Sequence, residues 1–441
     1  MAIKSDGTLV SWGANWYGQL GDGQGGDDND NANRSRPIEI GEWTKWQAVT
    51  AGGFHSLAIT REGDFWAWGA NWFGQLGDGT NGSTLYDLEA NRNKPVRIGA
   101  DDDWVSIAAG AFHSLALKSD GSIWAWGTNS YGQLGDGSEE DRNTPVRVGQ
   151  DTDWARIGAG ENYSLAIKEN GVLWGWGRNH IGQLGDGTRE AKNRPARLHE
   201  FTGWERPVGA GNIDGGHMLM IHGDGSLWAA GNNFNGQVGD GRSGFSGHQW
   251  DAHTLVQIGD GGEWRAAAGG GWHSIAVQRD GSLWGWGRNA QGELGTGTGE
   301  HSNAPVRAGE ENDWLEVGAG HGHSLGLKQD GTLWAWGYNF FGQLGNGTSG
   351  TGANELEPVF ILELGLPARP IRFTEVNWTP DNHCHLILSG GANEIWNLQY
   401  ADSSLSWQEL GSVETDGDGS AEFCDATAVN SEHRWYRALQ P

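Results

Sequence analysis

Five histidines recur at one position of a repeated sequence pattern, and histidine is the side chain most often used for metal binding and acid–base catalysis. They are His55, His113, His217, His273 and His323. Each follows a glycine-containing turn at the start of a predicted strand, where an imidazole can instead hydrogen-bond to backbone carbonyl groups. The fourth copy has Asn162-Tyr163 at this position, which interrupts any ring of imidazoles. We therefore predict that the histidines are structural and bind no metal.

A short acidic stretch, Asp27-Asp28-Asn29-Asp30-Asn31, has the density of oxygen donors that hard cations use. It lacks the D-x-D-x-D-G-x5-E spacing of a calcium loop. We interpret it as a solvated acidic loop, with weak calcium binding as the alternative. The chain also shows no phosphate-binding glycine loop, nucleophile elbow or zinc-ligand spacing. These observations predict a protein that is not an enzyme and has no cofactor.

The composition indicates which classes of partner the chain is expected to bind. The chain has 441 residues and a formal net charge of −27. So acidic a surface repels phosphate backbones, which argues against nucleic-acid binding, and it attracts cations or a basic partner. No apolar run is long enough to span a bilayer, and the first residues show no signal-peptide pattern.

One repeated unit predicts the architecture. The pattern D-G-x-x-W-x-W-G-x-N-x-x-G-Q-L-G-D-G occurs seven times, most clearly at 120–137, with a period of 50 to 58 residues. Each copy divides into four short segments that alternate in polarity between turn signals; in the second copy these are Trp46–Thr50, His55–Ile59, Phe65–Trp68 and Pro95–Ile98. Seven four-stranded meanders predict an all-β, seven-bladed propeller.

Paired tryptophans occur in the W-x-W segment of most copies, as at Trp66 and Trp68 or Trp124 and Trp126. Residues two apart lie on one face of a strand, and the residue between them is alanine or glycine. We interpret the tryptophans as packing between blades, with a carbohydrate-binding platform as the alternative. The loop asparagines from Asn15 to Asn339 are interpreted as backbone caps. One glutamine per copy is expected to brace the same loop, and Glu293 replaces it once.

The chain resembles the regulator-of-chromosome-condensation repeat family, a type of seven-bladed propeller. The residues that carry the resemblance are the long pattern above and A-G-x-x-H-S-L-A, present at 51–58 and 109–116. The resemblance implies a propeller over residues 1–365. It implies no single function, because members include nucleotide exchange factors, light sensors and secreted bacterial inhibitors of other proteins.

The array is irregular at its first blade. Met1-Ala2-Ile3-Lys4 aligns with Leu57-Ala58-Ile59-Thr60, and the last copy ends at 358–361, so one blade is short by about one and a half strands. Either residues 362–373 substitute imperfectly or the sequence is a truncated version of a longer one. We expect truncation, because Pro367 and Pro370 suit a paired inner strand poorly.

After about residue 370 the repeat is lost, and residues 371–441 form six predicted strands: 371–378, 383–389, 395–401, 407–413, 421–426 and 434–439. Six strands in a segment this short predict a small β-sandwich. The segments 396–407 and 434–437 resemble a module at the C-terminus of many bacterial secreted and surface proteins, which implies an extracellular or cell-surface location. In that setting Cys384 and Cys424 form either a disulfide or two buried free thiols.

The A-G-x-x-H turns and the long loops after the third strand are expected at one end of the propeller. The loops at 24–36, 80–94 and 242–254 are long, whereas 138–144, 188–194 and 298–304 have seven residues each. Variable loops on a rigid scaffold are typical of a binding surface. Aromatic residues in these loops are the candidate contacts: Trp16, Tyr17, Trp72, Phe73, Tyr131, Phe234, Trp250, Trp272, Phe340 and Phe341. The alternative is that they cap the blade ends.

We therefore predict a monomeric, non-enzymatic scaffold that binds a partner protein or a surface glycan. A regulator of a small GTPase and a carbohydrate-active propeller are the alternatives.

Overall fold

The computed structural model describes residues 1–25, 32–41, 45–82, 87–211, 216–244, 250–259 and 263–365, and beyond them the backbone of six strands. The chain divides into two compact units, Met1–Gly365 and Leu366–Pro441. No residue in the described ranges is α-helical. They contain no helix that is long and apolar enough to span a bilayer.

The first unit is a propeller of seven antiparallel sheets, one for each copy of the repeat. In the described residues blade 1 has three strands, β1 (Ala2–Ile3), β2 (Leu9–Gly13) and β3 (Arg34–Ile40). Blade 2 has β4 (Trp46–Ala51), β5 (His55–Thr60), β6 (Phe65–Gly69) and β7 (Arg92–Arg97). Blade 3 has β8 (Trp104–Ala109), β9 (His113–Lys118), β10 (Ile123–Gly127) and β11 (Arg142–Arg147). Blade 4 has β12 (Trp154–Ala159), β13 (Tyr163–Lys168), β14 (Leu173–Gly177) and β15 (Lys192–Arg197).

The remaining blades repeat this order. Blade 5 has β16 (Trp204–Gly209), β17 (His217–His222), β18 (Leu227–Gly231) and β19 (Ala252–Ile258). Blade 6 has β20 (Trp264–Gly269), β21 (His273–Gln278), β22 (Leu283–Gly287) and β23 (Ser302–Arg307). Blade 7 has β24 (Trp314–Ala319), β25 (His323–Lys328), β26 (Thr332–Gly337) and β27 (Glu355–Glu363). The predicted seven-bladed architecture is confirmed.

The first strands of neighbouring blades approach one another around the axis, and the fourth strands form the outer edge. This position explains one difference from the sequence prediction. The fourth strand of blade 2 begins at Arg92 rather than at Pro95. An outer strand faces solvent, so it needs no apolar alternation and tolerates a proline that cannot donate a hydrogen bond.

The second tryptophan of W-x-W joins six of the seven blades to the preceding one, and in blade 5 its place is taken by Ala230. The Trp126 ring is fully buried, and its indole N–H donates to the carbonyl oxygen of Gln75 at 2.9 Å. Five other interfaces repeat this bond at 2.8–3.0 Å. Gly77 lies over the ring at a φ of +80°, and a Cβ there would be 2.9 Å from the indole nitrogen. The packing interpretation of the tryptophans is therefore confirmed, and the L-G-D-G glycine is required by the ring beneath it.

Leu364 closes the ring between the last blade and the first. Its backbone N–H donates to the Gly331 carbonyl at 2.9 Å, as the Trp46 N–H donates to Gly7 one interface further on. Its carbonyl accepts from the Ser5 N–H at 2.9 Å, and its side chain is buried beside Val10. Leu364 thus takes the place of the residue that starts the first strand in other blades.

The second unit contains two three-stranded antiparallel sheets, each described by its strand pairing alone. One has the order β28 (Arg372–Trp378), β29 (Cys384–Ser389), β32 (Ser420–Asp425). The other has the order β31 (Trp407–Glu414), β30 (Ile395–Ala401), β33 (Trp435–Leu439). The two cysteines lie on adjacent strands, offset by one residue: Cys384 is registered with Asp425, and His385 with Cys424. The disulfide stays a prediction.

Replacing Leu364 with alanine is expected to destabilise the propeller by about 2–4 kcal/mol, because the change empties a buried site at the ring closure. The Leu356→Ala variant is the matched control, because Leu356 lies in β27, the strand that leads to Leu364, but is 42% exposed. The urea midpoint, followed by tryptophan fluorescence, measures both. Equal effects of the two substitutions would show that Leu364 does not close the ring.

Candidate functional site

The A-G-x-x-H turns and the loops after the third strand lie at one end of the propeller, which we name the loop face. The backbone shows this directly, since the N–H of Ala70, just after W-G, donates to the Phe54 carbonyl at 2.9 Å. The same bond links Thr128 to Phe112 in the next blade. The turn residue before each histidine is therefore beside the start of a long loop.

The loops are held in one conformation by their own polar side chains. In blade 2 the side-chain oxygen of Asn71 accepts from the Leu76 N–H at 3.0 Å, and its side-chain NH2 donates to the Asp78 carboxylate at 3.1 Å. The Gln75 side chain accepts from the Phe73 N–H at 2.9 Å. Other blades repeat these contacts, and in blade 6 the carboxylate of Glu293 replaces the glutamine. Asparagine therefore caps the loop and glutamine braces it, as the sequence indicates.

Nine rings form a continuous series of aromatic contacts across blades 3, 2, 1 and 7 on the loop face. The Trp16 and Phe341 ring centroids are 4.5 Å apart in an edge-to-face arrangement, and those of Tyr17 and Trp72 are 4.7 Å apart. We name this series the aromatic band; its members are Trp16, Tyr17, Phe54, Trp72, Phe73, Phe112, Tyr338, Phe340 and Phe341.

Members of the aromatic band differ in exposure. Tyr17 and Trp72 are only 9% and 3% exposed, so these two rings support the band from below. Phe340 is 43% exposed, and Trp16 and Phe341 are half-buried. The band therefore presents a solvent-facing aromatic surface on a packed aromatic base.

Sequence reasoning missed three members of the band. Phe54 and Phe112 precede the histidine in their turns, and Tyr338 follows W-G. Phe54 and Phe112 accept, through their backbone carbonyls, the hydrogen bond that joins a turn to the start of a loop, and Tyr338 donates the equivalent bond through its N–H. Predicting that the turns and the loop starts meet at the loop face would have identified these three residues.

The other four predicted residues lie outside the band. Tyr131 is 41% exposed, and the Arg178 guanidinium lies 5.0 Å from its ring centroid. Trp272 is half-buried, with Arg288 at 4.9 Å from the ring. Phe234 and Trp250 are exposed on blade 5. Arginine side chains thus accompany Tyr131 and Trp272, and the His321 ring lies 4.4 Å from the Trp272 ring.

Arg288 is held in place by an acidic side chain. Glu293 is buried, and its carboxylate lies 3.7 Å from the Arg288 Nε. In blade 5 the corresponding Gln237 donates instead to Asn232 at 2.7 Å. Blade 6 thus has a glutamate and an arginine where blade 5 has a glutamine and an asparagine, and the pair fixes a cation beside Trp272.

The recurring histidines join neighbouring blades. The His55 Nε2 lies 2.9 Å from the hydroxyl of Ser114 in the next blade, and Ser114 donates to the Gln75 carbonyl. His113, His217 and His273 make the same contact at 2.8–3.1 Å. The expected partner was a backbone carbonyl; the observed partner is a serine that already donates its proton and so accepts from the imidazole. Tyr163, which replaces histidine once, donates to the His217 carbonyl at 2.6 Å.

The turn glycine makes room for the imidazole. A Cβ at Gly110 would be 2.2 Å from the Cε1 of His113, which accounts for the glycine in A-G-x-x-H. Among the residues that the structure describes, no group of three or more His, Cys, Asp or Glu side chains could hold a metal ion. The acidic stretch Asp27–Asn31 and residues 212–215 of the fifth turn lie outside the described residues.

Comparison with known proteins identifies the family. A family model described as the RCC1-like domain matches residues 1–243, more than half of the chain. The chain belongs to this family. Models of the regulator of chromosome condensation (RCC1) repeat match residues 264–293, 280–327, 315–343 and 330–376, which continue the RCC1-like array through blades 6 and 7.

The matches to individual relatives cover only part of the length of each relative. The ultraviolet-B receptor UVR8 of Arabidopsis thaliana is 31% identical over 304 residues, which are 67% of this chain and 64% of the receptor. The mitochondrial RCC1 domain-containing protein RUG3 of the same plant is 37% identical over 31% of this chain and 30% of its own. The chain thus spans less than two thirds of these curated relatives.

Solved structures show the RCC1-like fold. Prp20p of Saccharomyces cerevisiae matches with a TM-score of 0.70 and 23% identity, over 82% of this chain and 88% of its own. Human WBSCR16 matches with a TM-score of 0.66 and 20% identity, over 84% and 96%. At these identities the likeness concerns the propeller architecture alone.

The buried histidines predict acid sensitivity. Burial lowers the pKa of His55 to about 3 and that of His113 to about 4, whereas an unfolded histidine titrates near 6.5. Below about pH 6.5 the unfolded chain therefore binds more protons, and stability falls as the pH falls toward the folded pKa values. Each such histidine contributes about 1.4 kcal/mol per pH unit.

We expect the urea midpoint to fall steadily from pH 7 to pH 5, where carboxylates remain ionised. The His113→Gln variant should reduce the slope. The Tyr163→Phe variant, at the same repeat position, should leave it unchanged, because burial raises the pKa of the Tyr163 hydroxyl, which therefore does not titrate in this range. A midpoint that is flat between pH 7 and pH 5 would contradict the buried neutral histidines.

Proposed function

We propose that the protein is a non-enzymatic scaffold that binds a partner protein through the aromatic band of the loop face. The observation that carries the proposal is the continuity of the band over four blades, from Phe112 to Phe340. Aromatic side chains dominate the energetics of protein interfaces when they stand on a well-packed base. Tyr17 and Trp72 provide that base here.

The rigidity of the loops supports the same function. Asparagine caps and glutamine braces fix the loop backbone, and Arg92 is paired with Asp78 at 2.7 Å within one of them. A partner that docks on such loops loses little conformational entropy to them. With a net charge of −27, electrostatic attraction favours a basic partner and disfavours nucleic acid.

Regulation of a small GTPase is the second candidate. It is favoured by family membership, since the RCC1 repeat is named for a regulator, and the solved structure of Prp20p is described with binding to Gsp1p and histones. Acceleration of nucleotide release from a GTPase by the purified chain would support it.

The human E3 ubiquitin-protein ligase HERC2 is also similar to this chain, but the matched segment is only 3% of the length of HERC2.

The second unit is proposed to be a small β-sandwich of an extracellular or cell-surface protein that acts as a monomer. Its two three-stranded sheets support the sandwich. Counting free thiols in the denatured, unreduced chain distinguishes the alternatives for Cys384 and Cys424: none for a disulfide, two for free cysteines.

The double variant Trp16→Ala/Phe341→Ala is expected to reduce partner capture by at least about tenfold, because it removes two touching rings from the exposed surface. Its thermal midpoint should stay within ~3 °C of the parent, since both rings are only half-buried. Capture from the surrounding medium is quantified by mass spectrometry, and a glycan array is probed in parallel.

The Phe201→Ala variant is the matched control, because Phe201 is 51% exposed in the link before a first strand, at the opposite end from the loop face. It should capture the partner as the parent does. Undiminished capture by a folded double variant would refute the band as the binding surface, and glycan binding that depends on the same rings would replace a protein partner with a sugar. Trp72 is left intact in this test because its removal would disturb the buried base of the band.

A further inference from the structure

The loop of blade 7 carries three aromatic rings, more than the same loop of any other blade. The first, third and fourth residues after W-G are Tyr338, Phe340 and Phe341, which we name the three-ring cluster. In blades 1 and 2 the first of these positions is alanine, and in blade 6 none of the three is aromatic. The cluster is therefore a local feature of the aromatic band and not a property of the repeat.

The rings of the three-ring cluster leave aromatic surface uncovered. Tyr338 and Phe340 lie within 7° of parallel, and their centroids are 6.4 Å apart. Closely stacked rings have centroids about 4.5 Å apart, so each ring keeps surface that the other does not cover. Phe341 is nearly perpendicular to both, at 6.2 Å from Tyr338 and 4.9 Å from Phe340, which is 43% exposed. One cation can thus lie within about 6 Å of all three centroids, the range of cation–π attraction.

The same loop holds a carboxylate without the cation that accompanies it elsewhere. In blades 1 to 4 the aspartate of L-G-D-G is paired with an arginine or lysine at the start of the fourth strand, at 2.6–2.9 Å. In blade 7 these positions are Asn346 and Glu355, and the Asn346 amide donates to the Glu355 carboxylate at 3.1 Å. Arg36 of blade 1 lies against Gly347 of this loop but forms no ion pair with Glu355. The half-buried carboxylate therefore keeps its negative charge beside the cluster.

A cavity of about 260 Å³ adjoins the cluster, between the loop of blade 7 and the start of β3 in blade 1. None of the residues that line it is charged; they are Asn33, Ser35, Phe340, Phe341, Ser349 and Gly350. Side-chain hydroxyl and amide oxygens of this lining can accept hydrogen bonds from a guanidinium group, which has five N–H donors. Arg34, which lies between two of the lining residues in sequence, is paired with Asp22 at 2.6 Å. The cavity thus offers acceptors to a cation without an uncompensated positive charge in its lining.

We propose that the three-ring cluster binds an arginine side chain of the partner protein, with the guanidinium across the exposed face of Phe340 and its N–H donors toward the cavity. This inference rests on the proposed function and specifies the chemistry of one contact. Arginine is favoured over lysine because its guanidinium is planar, weakly hydrated and stacks on aromatic faces. The net charge of −27 attracts a basic partner to the same surface.

The probes are two pentapeptides, acetyl-Gly-Gly-Arg-Gly-Gly-amide and the same peptide with citrulline in place of arginine. Citrulline keeps a planar group of nearly the same shape but has no charge. Titration of the full 441-residue chain, followed by saturation-transfer NMR of the peptides, measures both dissociation constants. We expect the arginine peptide to bind at least about fivefold more tightly, which is the size of a cation–π contact at a partly exposed site. A lysine peptide should bind more weakly than the arginine peptide.

Three variants locate the site. Phe340→Leu keeps an apolar side chain without the ring, and it should bring the ratio of the citrulline to the arginine dissociation constant close to one. Phe234→Leu is the matched control and should keep the parent ratio: Phe234 has the same repeat position in blade 5 and is 40% exposed, but Asn232 and Asn235 stand where blade 7 has Tyr338 and Phe341. Glu355→Gln should lower the ratio about twofold and weaken its dependence on salt.

Equal binding of the arginine and citrulline peptides, or a preference for arginine that survives Phe340→Leu, would overturn the inference. The peptides are tested without the natural partner, so this outcome is distinct from failure of the proposed function. Loss of partner capture by the Trp16→Ala/Phe341→Ala variant, together with equal binding of the two peptides, would leave the aromatic band as the binding surface and overturn only the assignment of arginine.

Discussion

At six of its seven interfaces the propeller depends on one contact between blades, the bond from a buried tryptophan indole to a loop carbonyl of the preceding blade. The ring of Trp126 carries the bond to Gln75, and the same carbonyl accepts from the Ser114 hydroxyl. Because the acceptor belongs to the loop and the donors belong to the next blade, this contact joins sheet packing to loop conformation. A rigid loop face is therefore a consequence of how the blades pack.

The repeat period and the alternation of polarity were enough to predict the number of blades and the order of strands. The roles of Asn71 and Gln75 could also be predicted, because a capping asparagine and a bracing glutamine act within one loop. The partner of the histidines could not, since Ser114 lies 59 residues beyond His55 along the chain. Contacts between copies depend on the geometry of the ring.

The exposure of the aromatic residues also depends on contacts between blades that the sequence alone does not predict. Trp72 and Phe340 occupy the same position of the repeat, yet Trp72 is buried and Phe340 is exposed. Trp72 is covered by Tyr17 from the preceding blade and by Phe54 from the neighbouring turn. Sequence position selects the residues that reach the loop face, and the neighbouring loops decide which of them reach solvent.

Amide hydrogen exchange of the partner-bound chain tests the binding surface most directly. If the aromatic band is the surface, protection on partner binding should fall in the loops that contain Trp16 and Phe340 and in the turn at Phe54. Protection confined to the turns at the opposite end of the propeller, such as the one at Gly121, or to the outer strands such as β7 would contradict it.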